Sequence, residues 1–307
     1  MLFSTLLIAL LYRLTPLDVA RNFYLTAVDW TTINLILILT LIRGFEYILR
    51  KRGLLVDMMD TLKGLLRGNR VVIAAMPALI GMLPSVGGAL FSAPMVDETT
   101  KNLRVSAAKK SFINYWFRHP WEYILPLYPG IVLASGMTGI PMRKMIEVNL
   151  SLAVAMVIAG AFLGLRGIRM KGHAVGRRET NGIKSFLPII TLLVFVLAFR
   201  LGLLEALGVE LFFVFLFLRS PFSEIVETLR RSVSLEIIVL IFGILLFKTT
   251  METSGGIRNM SEFFSVHQIP LMPLLFFLPF ITGILTGFTV GFVGSTFPLL
   301  LSLVHDD

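Results

Sequence analysis

Long apolar runs alternate with short polar, mostly basic stretches along the chain. A hydrocarbon core of about 30 Å takes roughly 20 apolar residues as a helix, and somewhat fewer where the ends snorkel. On that measure spans are expected near residues 1–12, 27–46, 120–140, 146–165, 185–199, 203–218 and 233–250. Two further apolar runs, 71–96 and 270–301, are interrupted by Gly and Pro and read as two versions of one segment. Pro77 stands four residues before Gly81 as Pro279 stands four before Gly283. After a two-residue insertion Ser85-Val86-Gly87 lines up with Thr289-Val290-Gly291, and in the same register Pro94 meets Pro298. A broken apolar segment recurring in two halves points to a transporter binding site.

Charge decides whether these two segments cross or return to their own side. If both return as hairpins, the loops 47–70, 97–118, 166–184 and 219–232 share one side and hold 20 Lys or Arg, whereas 13–26, 141–145, 200–202 and 251–268 hold 6. Basic loops stay in the cytoplasm, so the hairpin reading satisfies the orientation rule. A full crossing by 71–96 would put the basic loop 166–184 opposite 47–70. The first hairpin then enters from the cytoplasm and the second from outside, so the halves are inverted. Each follows a span and an amphipathic connector, Gly53 to Leu66 and Gly255 to Phe264. Such repeats meet near the midplane and permit alternating access.

Composition agrees with a polytopic membrane protein: the 307 residues are 56% hydrophobic and 15% charged, with a mean hydropathy of +0.83. The net charge of +9 sits in loops, so it reads as membrane orientation and not as a nucleic-acid surface. With no Cys there is no disulfide, thiol nucleophile or thiolate metal site. Leu2 to Tyr12 lacks a basic start and a cleavage site, so it reads as a short first span and not a signal peptide.

Two half-helices of about 11 residues each reach roughly 16 Å, near the bilayer centre. The tip Leu83-Pro84-Ser85-Val86-Gly87-Gly88 would then need a protein-buried or hydrated setting. There the second half-helix offers free N–H groups and its positive dipole end to a carboxylate or phosphate. Gly87 and Gly88 admit a ligand to the backbone, and Ser85 and Ser92 supply hydroxyls. Thr289, Gly291, Gly294, Ser295 and Thr296 offer the same chemistry from the other half. The alternative for these small residues is close helix packing.

The span after the first hairpin carries His119-Pro120-Trp121-Glu122-Tyr123 and then Pro126, Pro129 and Gly130, which should kink or unwind it and free carbonyls for a cation. Pro129, Gly130 and Ser135 are the unwound-backbone candidates. Arg118, His119 and Glu122 read as an ion-paired interfacial anchor with Trp116 and Trp121 in preference to a substrate contact. Asn149 and Ser151 read as helix-helix hydrogen-bonding residues. Lys248 with Glu252, and Arg43 with Glu46, are secondary candidates for gating or proton coupling.

An intramembrane enzyme is disfavoured. Ala134-Ser135-Gly136 has no mid-span His to serve as base, since the four His are at 119, 173, 267 and 305, and no HExxH motif is present. A passive channel is the nearer rival, because re-entrant half-helices also build filters. Two inverted hairpins and the lack of an acidic ring favour a carrier. A non-transporting assembly factor is the third reading.

The run Gly87-Gly88-Ala89-Leu90-Phe91-Ser92-Ala93-Pro94-Met95-Val96-Asp97-Glu98, with Phe112-Ile113-Asn114-Tyr115-Trp116-Phe117-Arg118-His119 and Trp121-Glu122-Tyr123, resembles an uncharacterised prokaryotic integral membrane family, domain of unknown function 401. That family is similar in plan to gluconate permeases and other members of the ion transporter superfamily. The resemblance covers most of the chain. It implies a multi-pass permease of the cytoplasmic membrane that moves a small organic anion with H⁺ or Na⁺. It supplies no substrate. The expected fold is therefore an all-α polytopic membrane protein of two inverted repeats, each with a re-entrant hairpin and a broken helix. The first half is 1–184 (hairpin 71–96, broken helix 120–140, basic loop 166–184) and the second is 185–307 (hairpin 270–301). The second half ends at Asp307 with no counterpart to 120–165, so it reads as incomplete, to be completed by further chain, a second polypeptide or a homodimer partner. The expected partners are the lipid bilayer and a small anionic solute, with no metal or organic cofactor.

Overall fold

A computed structural model describes residues 1–65, 71–82, 88–101, 103–168, 181–268, 270–287 and 289–304. These form helices and connecting turns, with no strand among the described residues. The first six helices are α1 (Leu2–Leu11), α2 (Pro16–Val28), α3 (Trp30–Lys51), α4 (Leu54–Leu65), α5 (Val71–Gly81) and α6 (Gly88–Thr100). A middle section follows: α7 (Ala107–Arg118), a 3₁₀ segment His119–Tyr123, α8 (Pro129–Thr138), α9 (Met142–Leu165), a 3₁₀ segment Asn181–Phe186 and α10 (Leu187–Leu197). Six more helices end the described chain: α11 (Leu203–Phe217), α12 (Phe222–Ser232), α13 (Leu235–Thr253), α14 (Gly256–Val266), α15 (Leu271–Thr286) and α16 (Thr289–Val304).

The first six and the last six follow one plan. A helix ends at an arginine with positive φ, Arg13 (52°) or Arg219 (48°), and Thr15-Pro16 or Ser220-Pro221 opens the next. A long apolar helix then stops at a positive-φ glycine, Gly53 (72°) or Gly255 (76°), where a side chain would be strained. Next comes an amphipathic connector: α4 lies within the bounds expected from sequence, and α14 runs two residues past its expected end at Phe264. Finally a pair of helices, each with an internal proline, packs together: α5 on α6 with Pro77 and Pro94, α15 on α16 with Pro279 and Pro298.

Several local expectations change. Residues 13–26, read as a loop, are largely α2, opened by a capping box in which Thr15 and Asp18 satisfy each other's backbone N–H groups. The stretch 120–140 is interrupted upstream of Pro129 and not at it. It is a 3₁₀ turn, an irregular run at 124–128, and then α8. Among the described residues, by length and composition, α3 and α9 suffice to cross a membrane, or three spans if α12 and α13, bent by 43°, count as one. The other apolar helices are shorter than a full crossing.

By contact the chain forms two compact units, each of non-contiguous stretches: 1–40 with 132–140 and 233–307, and 41–131 with 141–232. In the first, α13 is the central element. Ile241, Ile244, Leu245, Leu246 and Phe247 are all buried, as expected of a helix apolar on every side. Helices α1, α2, α14 and α16 pack on it. In the second unit Ile73, Val96, Ile113, Phe117 and Leu165 close a core between α5, α6, α7 and α9. Along α9, Leu152, Ile158, Phe162 and Leu163 are all more than half exposed. Such a continuous apolar surface is rare in water and is compatible with a membrane protein.

Candidate functional site

The break after α5 is built against the irregular segment that precedes α8. Gly81 ends α5 so close to Arg118 that an added Cβ would lie 2.3 Å from the Arg118 carbonyl oxygen. The last carbonyls of a helix lack intrahelical donors, and the Tyr128 hydroxyl donates to that of Gly81. Tyr128 is held by successive turns: the Leu125 N–H donates to Trp121 O at 2.8 Å, and the Tyr128 N–H to Leu125 O at 3.2 Å. His119 and Glu122 form the expected pair, Nε2 to Oε1 3.6 Å. Trp116 packs on α9. Its Nε1–H donates to Met156 O at 2.7 Å, and its ring occupies the space over Gly160.

Ser85 and Gly87, at the expected tip, lie outside the described residues. Gly88 is the first residue of α6, and Ser92, one turn on, is fully buried. Pro129 and Gly130 are not unwound: they open α8, and Ser135 lies within it. Proline fits a first helical turn because its missing N–H would have had no partner there. The disrupted backbone therefore falls just before Pro129, at Ile124–Tyr128. The Ser135 hydroxyl donates to Ile140 O at 2.6 Å, across the end of α8.

The second break is shorter in sequence, between Thr286 and Thr289. Gly287, with φ 69°, caps α15 by donating its N–H to Gly283 O at 2.9 Å. Helix α16 begins two residues later, placing Thr289 and Gly291 in its first turn. Ser295 donates to Gly291 O at 2.9 Å, and the buried Thr296 hydroxyl lies 2.7 Å from that of Thr282. Gly294 faces Ile244, whose Cδ1 would be 2.6 Å from an added Cβ. In this conformation Gly294 and Thr296 thus serve close packing of α16. Gly88, Ser92, Pro129 and Gly130 belong to one compact unit, and Ser135, Thr289, Gly291, Ser295 and Thr296 to the other.

Sequence reasoning passed over two clusters. Glu210, in α11, is 2% exposed, and its Oε2 lies 2.7 Å from Thr191 Oγ1 of α10. Both line a cavity of about 470 Å³ walled by Leu187, Phe195, Phe213 and Phe217, with Lys184 on its lining. The signal was one acid inside Val209-Glu210-Leu211-Phe212-Phe213. The second cluster joins the end of α3 to α12. Arg52 pairs with Glu224, and Lys51 with Glu227 at 2.6 Å. Tyr47 also donates to Glu227 at 2.6 Å. The hydrogen bond from Arg52 holds Glu224 below the usual carboxylate range, and that from Lys51 does the same for Glu227. Among the secondary candidates, Lys248 Nζ is 3.6 Å from Glu252 Oε1. Glu46 pairs with Arg50 at 2.7 Å.

Residues 4–306 match the family described as protein of unknown function (DUF401), and the chain belongs to that family. No curated protein matches it.

Proposed function

We propose that this family member is a secondary transporter. It moves a small solute, an organic anion such as a carboxylate, across the cytoplasmic membrane by alternating access coupled to H⁺ or Na⁺. The observation that carries the reading is the repeated six-helix plan, each copy ending in a proline-containing helix pair with a break between its members. Paired discontinuous helices in two repeats are how many carriers build a midplane site. The positions offered to the solute are Ser85, Gly87, Gly88 and Ser92 from the first break and Thr289, Gly291, Ser295 and Thr296 from the second. The opposed orientation of the repeats and the re-entrant course of the hairpins belong to this proposal, as does the similarity to gluconate permeases. The first two rest on loop charge, and the third on the resemblance of residues 87–123. The irregular run Ile124–Tyr128 supports it further, since unwound backbone at membrane depth is tolerated where it lines a cavity or is buried in protein.

The test is uptake of labelled mono- and dicarboxylates into proteoliposomes under an imposed H⁺ or Na⁺ gradient. Saturable, gradient-driven accumulation is the expected result. Flux that neither saturates nor accumulates against a gradient would make it a channel.

A further inference from the structure

Glu210 is an acid placed where an ionised carboxylate has no compensation. It lies in α11, whose flanking Phe212, Phe213, Leu216 and Phe217 are exposed apolar side chains, yet it is itself buried beside an apolar cavity. Isolated buried charge costs several kcal/mol or more, on the order of what a whole domain has to spare. The facing helix α10, LPIITLLVFVL, has no ionisable residue. On α11 the other acid, Glu205, packs back on Gly202. Lys184 is the one charged side chain sharing the cavity lining among the described residues, and no ion pair joins it to Glu210.

Hydrogen-bond accounting indicates which form is present. Thr191 Oγ1 lies 2.7 Å from Glu210 Oε2 and 2.7 Å from Leu187 O. A hydroxyl has one hydrogen, so it cannot donate to both. If Glu210 carries a proton, its O–H donates to Thr191 Oγ1 and the Thr191 hydroxyl donates to Leu187 O, so both short contacts are hydrogen bonds. If Glu210 is ionised, the buried charge rests on one hydroxyl, and the short contact to Leu187 O loses its hydrogen.

We propose that Glu210 is a proton-binding site, occupied in this conformation, and that the coupling ion is therefore H⁺. The second clause rests on the transporter reading; the first does not. The proton is bound while Thr191 and Glu210 face each other across α10 and α11. Any rearrangement that separates the two helices or admits water to the cavity favours its release. Glu210 is then both load and latch: a neutral acid permits the buried state, and an ionised one opposes it.

The test reads the proton directly. Dicyclohexylcarbodiimide is apolar and reacts with protonated carboxyls in apolar surroundings, and the cavity gives it access. In protein reconstituted in nanodiscs at pH 7, the Glu210 peptide should acquire the reagent mass, labelling should fall as pH rises, and E210Q should not label at that peptide. Infrared difference spectra between wild type and E210Q should show a protonated-carboxyl C=O band at pH 7. E210Q, whose amide can donate to Thr191 as the acid does, should stay folded. An unlabelled Glu210 with no such band would overturn the proton site, whatever the uptake assay shows. Labelling with uptake driven only by Na⁺ would overturn the coupling clause. Labelling with no gradient-driven uptake of any solute would count against the transporter reading and, with it, the coupling clause.

Discussion

Gly81 and Gly283 occupy equivalent places in the two repeats, four residues after Pro77 and Pro279, yet alanine should act on them in opposite directions. At Gly81 the new Cβ would meet three backbone atoms of Arg118, at 2.3, 2.8 and 2.9 Å. Backbone cannot rotate away as a side chain can, so α5 and the end of α7 must separate. Overpacking of this kind costs about 1–3 kcal/mol. The same displacement strains the Tyr128 to Gly81 hydrogen bond, worth about 1 kcal/mol. At Gly283 nothing lies within 4 Å of an added Cβ. There alanine gains helix propensity of up to about 1 kcal/mol inside α15. The two variants should therefore differ by about 2–5 kcal/mol.

Thermal unfolding in nanodiscs, followed by tryptophan fluorescence, reads this difference without any knowledge of the solute. Each kcal/mol shifts the melting temperature by roughly 2–4 °C in a chain somewhat smaller than this one. Gly81→Ala should melt several degrees below wild type and Gly283→Ala at or slightly above it. Tyr128→Phe separates the two contributions at Gly81, since it removes the hydroxyl without adding volume. If Gly81→Ala melted with Gly283→Ala, the close approach of α5 to Arg118 would be wrong, and with it the placement of the first break against Ile124–Tyr128.

Gly44→Ala should destabilise, because its Cβ would lie 2.5 Å from Ser232 Oγ; adding Ser232→Ala should restore the melting temperature, since the next atom is at an ordinary 3.6 Å. Glu224 and Glu227 are held below their unfolded values, so the unfolded chain binds more protons. Their stabilisation is complete above about pH 5, where unfolded glutamate is ionised, and is lost as pH falls below that. Glu227→Gln should flatten this acid limb in a pH series of melting temperatures, and an unchanged limb would contradict the pairing. Gly87→Leu should abolish uptake while insertion stays normal, and normal uptake by that variant would remove the tip from the solute path.

The connectors α4 and α14 were legible because a glycine at a helix end marks a left-handed turn. The broken pairs were legible because proline and glycine recur in one register. The length of each break was not. It depends on where the chain turns, and Gly287 lets α15 run past the position where its counterpart Gly81 ends α5. Proline misled at 120–140 because it breaks a helix from inside but begins one at the first turn, so Pro129 marks a start and the disruption lies upstream. Helix α2 was hidden by Asp18 and Asn22, whose polarity reads as loop, although Thr15-Pro16-Leu17-Asp18 is a local start signal. Glu210 was lost because one acid hardly lowers the hydropathy of its run. The rule that an acid within a span is a functional candidate would have found it.

The non-contiguous units follow from an exchange between the repeats. Helix α2 of the first repeat packs on α13 of the second, through Asn22 Nδ2 to Thr253 Oγ1 at 2.8 Å and Thr26 Oγ1 to Thr249 Oγ1 at 3.2 Å. Helix α12 of the second repeat packs on α3 of the first, with Ser232 over Gly44 and Glu227 bound by Tyr47 and Lys51. Thr26 and Ser232 are both buried, each on the second helix of its six-helix set. In both cases the second helix of one set packs on the third helix of the other. The two contacts differ in chemistry. The α2 contact, at the end expected outside, uses only neutral amide and hydroxyl groups. The α12 contact, at the end expected in the cytoplasm, adds Lys51, Arg52, Glu224 and Glu227. Neutral groups at the one contact and charged groups at the other follow the same loop-charge distribution from which the proposed inversion was inferred.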